Sequence, residues 1–174
     1  MPEENKLARF EQAVLPHLDA AYNLARWLTR SDADAEDVVQ EAALRAFKSF
    51  GGFRGADGRA WLLTIVRNAC YTWLRQNRAQ ELAVPFEEEA HGVGADNPET
   101  ILLEGADRQM LREALEELPT EFREAIVLRE LEGLSYKEIA TVADVPVGTV
   151  MSRLARARKR LQLRLSVRRE GGLS

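Results

Sequence analysis

Residues 135–161 read Ser135-Tyr136-Lys137-Glu138-Ile139-Ala140-Thr141-Val142-Ala143-Asp144-Val145-Pro146-Val147-Gly148, then Thr149-Val150-Met151-Ser152-Arg153-Leu154-Ala155-Arg156-Ala157-Arg158-Lys159-Arg160-Leu161. Ser135 followed three residues later by Glu138 is a capping box, the start signal of a helix that carries Ile139, Ala140, Val142 and Ala143. Asp144 to Gly148 then supplies a tight turn, and a second, basic helix starts near Gly148 or Thr149. At 3.6 residues per turn, Val150, Leu154, Ala157 and Leu161 fall within about 60° of one another and form a core stripe. Gly148, Thr149, Ser152, Arg156, Lys159 and Arg160 lie opposite, with Arg153 at the margin. Short helix, short turn and basic helix make a helix-turn-helix. A small, polar helix start allows close approach to base edges, and the later cations reach phosphates. Eight basic residues and no acid stand between Asp144 and Glu170.

The same periodicity extends upstream. Leu7, Phe10, Val14, Leu18, Ala21, Leu24 and Leu28 recur at helical steps, with Pro16 as a break. Ser31 is the expected N-cap of a helix running to Phe50, with Asp32 and Asp34 in its first turn. Gly51 to Gly58 is glycine-rich. From Arg59 to about Arg78 another helix is expected, dense in Trp61, Leu62, Ile65, Val66, Cys70, Trp73 and Leu74. It carries Arg59, Arg67, Arg75 and Arg78 interleaved with Trp61, Tyr71 and Trp73. Aromatics beside cations suit unstacked or single-stranded DNA, since every base offers a face to stack on; burial of the two tryptophans in the core is the competing reading. Two further short helices are expected before the helix-turn-helix: one with Met110, Leu111, Leu115 and Leu118, closed by Pro119, and one with Phe122, Ile126, Val127 and Leu131, ended by Gly133. No β-type alternation sustains itself, so the expected fold is all-α.

Between Arg78 and Arg108 there is no cation but eight acids, with Pro85, Gly92, Gly94 and Pro98 as breakers. This reads as a flexible acidic linker. The 174 residues carry a net charge of −4, but it is segregated: +1 over 1–78, −9 over 79–120 and +4 over 121–174. An acidic total therefore does not argue against nucleic-acid binding by single segments. No apolar run approaches the length of a bilayer span, and the N-terminus lacks a basic start followed by an apolar stretch, so membrane insertion and secretion are not expected. The single cysteine, Cys70, and two distant histidines, His17 and His91, offer neither a disulfide nor a metal-ligand spacing. A buried thiol is the expected state of Cys70. No phosphate-cradling loop or acid cluster suggests catalysis, and neither a cofactor nor a small-molecule substrate is expected.

Several stretches together resemble a known family. Asp34-Ala35-Glu36-Asp37-Val38-Val39-Gln40-Glu41-Ala42, then Trp61-Leu62-Leu63-Thr64-Ile65-Val66-Arg67-Asn68, then Leu118-Pro119, Leu134-Ser135-Tyr136-Lys137-Glu138-Ile139-Ala140 and Val147-Gly148-Thr149-Val150 occur in that order. The chain resembles an extracytoplasmic-function (ECF) sigma factor of the bacterial sigma-70 family over roughly residues 7–165. The resemblance implies two small helical domains, residues 1–79 and 108–168, joined by the acidic linker 80–107 and followed by a short tail, 169–174.

It also implies roles. The helix around residues 34–50 would bind the β′ clamp helices of core RNA polymerase, with Asp37, Val39, Gln40, Glu41, Arg45 and Phe47 at or near the matching positions; the β subunit is an expected second contact. Trp61, Arg67, Asn68, Tyr71 and Arg75 would contact the separated non-template strand of the minus-ten promoter element. Melting costs a few kcal/mol per extruded base, offset by stacking and pockets. Gly148, Thr149, Ser152, Arg153, Arg156, Lys159 and Arg160 would meet the minus-thirty-five element as duplex DNA. Met151 stands where many relatives have a basic residue. The linker would thread towards the basic active-site cleft and RNA exit channel of the polymerase, where its carboxylates imitate nucleic-acid charge. An anti-sigma factor is an expected partner, and the bacterial cytoplasm the expected location. The alternatives weighed are a stand-alone helix-turn-helix repressor or activator, which needs no polymerase-docking helix, and a metal-dependent nuclease.

Overall fold

The computed structural model describes residues 3–53, 57–83 and 98–172, with side-chain detail at 4–53, 57–77 and 108–166. Among these residues there is no strand, and eight α-helices run in order: α1 Glu3–Val14, α2 Leu18–Thr29, α3 Asp32–Ser49, α4 Gly58–Ala83, α5 Pro98–Glu117, α6 Thr120–Ile126, α7 Tyr136–Ala143 and α8 Val147–Gly172. Pro16 sits in a 3₁₀ turn, Leu15–His17, which separates α1 from α2 without ending the helical path.

Helices α2, α3 and α4 form the N-terminal unit. Ser31 caps α3 by accepting from the Asp34 amide. The buried face of α3 is Ala35, Val38, Ala42 and Ala46, small enough for close approach to Leu24 and Leu28 of α2 and to Leu62, Leu63 and Val66 of α4, all fully buried. Each such leucine contributes about 2 kcal/mol by leaving water. Gly58 opens α4 against α1, where a Cβ would collide with the Ala13 carbonyl oxygen; only glycine permits that approach. Leu7 matches the apolar periodicity but is 47% exposed, so the buried stripe of α1 is narrower than the sequence suggests.

In the C-terminal unit α6 does not continue as a plain helix. Residues Val127–Leu131 widen into a π-helical turn, with the Glu132 amide donating to the Val127 carbonyl at 3.0 Å. Gly133, at φ +69°, ends it, and the Leu134 amide closes back on the Leu128 carbonyl at 2.9 Å. The capping box of α7 is complete: Ser135 accepts from the Glu138 amide and Glu138 from the Ser135 amide. Asp144 turns the chain in the left-handed region at φ 56°, which aspartate tolerates better than most residues.

The stretch expected to be a linker is partly helical. Pro98 stands at the first position of α5, where its missing N–H has no intrahelical partner to lose; counted as a breaker, it is instead a start. At the other end α4 runs on to Ala83, two residues before Pro85, whose ring disfavours helix in the residue before it. The remainder of the expected linker, 84–97, lies outside the described residues. Likewise α8 continues through 169–172, where a tail was expected. The two units pack against each other, and one cluster of buried side chains reaches from Leu24, Leu62 and Val66 to Leu128, Ile139 and Leu154.

Candidate nucleic-acid interface

Three surfaces carry the residues singled out by the sequence. On α8, Val150, Leu154 and Ala157 are buried while Gly148, Ser152, Arg156, Lys159 and Arg160 are exposed, and Thr149 and Arg153 are half-buried. The turn before it delivers this geometry: the Thr149 and Val150 amides donate to the Pro146 carbonyl at 3.0 and 3.2 Å, starting the helix as soon as proline allows. Arg160 stacks over Phe122 at 5.3 Å, and Arg158 pairs with Glu130 at 2.9 Å. Arg156 and Lys159 meet no described carboxylate, so their charge is directed to solvent. Met151, 54% exposed, adds an apolar element to the start of the same helix.

On α3, Asp37, Gln40, Glu41 and Arg45 are exposed, and Val39 and Phe47 half-buried. Arg45 reaches back one turn to Glu41 at 2.6 Å. Exposed Leu44 lies in the middle of this polar face, on the side of α3 away from the Ala35, Val38, Ala42 and Ala46 stripe. Phe47 packs edge-on against Phe10 at 5.3 Å, with Lys6 over its ring at 4.6 Å.

The residues of α4 do not share one environment. Asn68 and Arg75 are exposed. Trp61 is half-buried in an aromatic cluster, 4.9 Å from Phe53 and 6.0 Å from Phe50. It lines a groove of about 800 Å³ shared with Thr64 and Ile65 of α4 and Lys137, Glu138 and Thr141 of α7. Arg67 and Tyr71 instead face the C-terminal unit. Arg67 Nε donates to Glu124 Oε2 of α6 at 2.8 Å, with 16% and 1% of the two side chains exposed. The guanidinium also lies 3.9 Å from the Tyr71 ring.

Burial disfavours charge on Arg67, but the Glu124 carboxylate outweighs it and holds the guanidinium's pKa above its usual value. Glu124 is raised by burial, which Arg67 only partly opposes. Burial also pushes the Tyr71 hydroxyl up and the Cys70 thiol up to about 12, so Cys70 is an inert core residue. Arg59 makes a second bridge between the units, donating to the Glu132 carbonyl at 3.2 Å and to Glu138 at 3.3 Å. A third joins Asn23 to Glu132 at 2.5 Å. Sequence reasoning missed Glu124, Glu132 and Glu138 as partners of the α4 cations, and the Asn23–Glu132 bond beside them, because no local pattern links residues so far apart in the chain.

No group of histidine, cysteine or acidic residues able to hold a metal occurs among the described residues, and none of their helices is long and apolar enough to cross a membrane.

Two family models match the chain: sigma-70 region 2 over residues 13–80 and sigma-70 region 4 over residues 108–161. The first falls on the α2–α4 unit and the second on the unit that holds the helix-turn-helix. The chain belongs to the sigma-70 family. Among its relatives, the ECF RNA polymerase sigma factor SigE of Mycolicibacterium smegmatis is 34% identical over 161 residues, which cover 92% of this chain and 63% of that protein. The ECF RNA polymerase sigma-E factor of Escherichia coli is 40% identical over 135 residues, 72% of this chain and 71% of that protein. Among solved structures, the sigma factor RpoE of Bartonella quintana, in complex with the anti-sigma factor NepR, superposes with a TM-score of 0.74 at 31% identity, covering 91% of this chain and 98% of that one. These relatives place the chain among the ECF sigma factors.

Proposed function

We propose that this chain is a promoter-specificity subunit of bacterial RNA polymerase, without catalysis of its own, acting in the cytoplasm. The exposed acidic face of α3, through Asp37, Gln40 and Glu41 with Leu44 between them, docks on the β′ clamp helices of the core enzyme, and the β subunit gives a second contact. The α4 residues Trp61, Arg67, Asn68, Tyr71 and Arg75 take up the melted non-template strand of the minus-ten element. The α8 face formed by Gly148, Thr149, Ser152, Arg153, Arg156, Lys159 and Arg160 reads the minus-thirty-five element as duplex. The acidic stretch between the units follows the basic channels of the core enzyme. An anti-sigma factor, of the kind bound by the Bartonella quintana relative, controls access to these faces.

The observation that carries this reading is that one chain holds both a region 2 match and a region 4 match, since a stand-alone repressor has a use for the second alone. The test is affinity for core polymerase, measured by pull-down or fluorescence anisotropy. Asp37→Ala and Gln40→Ala are expected to weaken binding about tenfold, as loss of an interface hot spot does, with unchanged circular dichroism. Unchanged affinity in both variants would remove the assignment of α3.

A further inference from the structure

Two of the residues proposed to hold single-stranded DNA are not available to it in this structure. Arg67 is engaged by Glu124 at 2.8 Å and lies against the Tyr71 ring. The counter-ion is a carboxylate 1% exposed, which gives the guanidinium the same kind of charge and oxygen acceptor that a DNA phosphate would. Arg153 of the helix-turn-helix adds a further, longer-range favourable charge to Glu124. One buried acid therefore pairs with a cation of one candidate DNA-reading helix and feels the charge of a cation on the other.

The packing at this point is incomplete. Glu124 Oε1 and the Tyr71 hydroxyl are both buried outside good hydrogen-bond geometry with any described residue, although the hydroxyl is close enough to favour the Glu124 carboxylate. Buried polar atoms are nearly always paired, and each one left over costs stability. A buried ion pair adds little net stability, because desolvation offsets the attraction. The contact therefore serves specificity more than net stability. The flanking Arg59–Glu138 pair, at 3.3 Å, and the Asn23–Glu132 bond join the same two units.

We propose that Glu124 is an intramolecular latch: by binding Arg67 it holds the two units closed, masks Arg67 and Tyr71, and keeps the chain alone from binding single-stranded DNA until that carboxylate is exchanged for nucleic acid. This rests on the proposed strand-binding role of α4. The latch is a coupling between domain closure and DNA affinity, so weakening closure raises affinity by the closing free energy it removes.

The test uses the full-length chain and a fluorescein-labelled, random-sequence single-stranded 20-mer, followed by anisotropy. Glu124→Gln is expected to bind about tenfold more tightly than the parent, within the usual span of allosteric couplings. The gain is expected to vanish in the Glu124→Gln/Arg67→Ala double variant. Asn23→Ala, which breaks a half-exposed contact at the same interface, is expected to give a smaller gain and carries the test if Glu124→Gln fails to fold by circular dichroism. A folded variant that binds no more tightly than the parent, or a gain that survives Arg67→Ala, overturns the latch. Core-polymerase binding is measured on the same preparations. Retained core binding without a DNA gain removes the latch alone, whereas loss of core binding by the parent chain removes the functional reading beneath it.

Discussion

Arg67 and Glu124 stand 57 residues apart in the chain and meet at 2.8 Å between α4 and α6. Removing one partner of a buried pair leaves the other uncompensated, at a cost of about 3–5 kcal/mol. The two units can relieve that cost by separating, so the effect is expected in their contact before it appears in either fold. In native-state hydrogen exchange, Arg67→Ala is expected to lower protection of the α6 amides by about tenfold or more. Arg75→Ala, on the exposed side of the same helix, is expected to leave them unchanged. Equal protection in both variants would show that the pair does not hold the interface.

The face of α8 separates two kinds of substitution. Arg156→Ala removes an exposed cation and is expected to weaken promoter duplex binding while lowering the salt slope by about one unit, with the fold intact. Leu154→Ala opens a cavity beneath the same helix and is expected to cost about 2–5 kcal/mol in denaturant unfolding. Salt-dependent anisotropy and urea titration distinguish the two; a stability loss in Arg156→Ala would place that residue in the core rather than on the DNA side.

The capping box makes α7 acid-sensitive. The Ser135 amide, with help from the Arg59 guanidinium, holds the Glu138 carboxyl down to about 2 against its usual 4.5. Because the folded pKa is depressed, the stabilisation is fully present above the unfolded value and is lost as pH falls through the folded one. Urea midpoints are therefore expected to drop more steeply between pH 4.5 and pH 2 in the parent than in Glu138→Gln. Ser135→Ala is expected to cost about 1 kcal/mol at neutral pH.

Gly58 is held to glycine by the Ala13 carbonyl oxygen, a backbone atom that cannot swing aside. Gly58→Ala is expected to push α4 away from α1 and lower stability by about 1–3 kcal/mol, read as a fall in melting temperature. Gly51→Ala, with open space where its Cβ would stand, is expected to leave the melting temperature within a degree or two, the span of ordinary surface changes of about 0.5 kcal/mol.

How much of this was legible in the sequence follows the distance over which each feature is determined. The helix-turn-helix is written locally: Ser135 and Glu138 are three residues apart, and the Val150, Leu154 and Ala157 stripe follows from the helical period alone. The same period puts Leu7 on an apolar stripe, yet it is exposed, because whether a stripe is covered depends on what packs there. Pro98 misleads as a breaker because the same ring that ends a helix from within opens one from its first position. Arg59 with Glu138, 79 residues apart, and Asn23 with Glu132, 109 apart, carry no mutual signal in one sequence. The family resemblance assigned Arg67 and Tyr71 to DNA, and the structure adds Glu124 as an intramolecular partner of Arg67.

The account's central claim is promoter-selective initiation, and run-off transcription from a fragmented bacterial genomic library tests it most directly, with core polymerase alone and with the chain added. Discrete start sites are expected only when the chain is present, preceded by two shared upstream elements. An identical transcript pattern with and without the chain, combined with no binding to core and sequence-specific duplex binding by the chain alone, would contradict it and identify a stand-alone DNA-binding regulator.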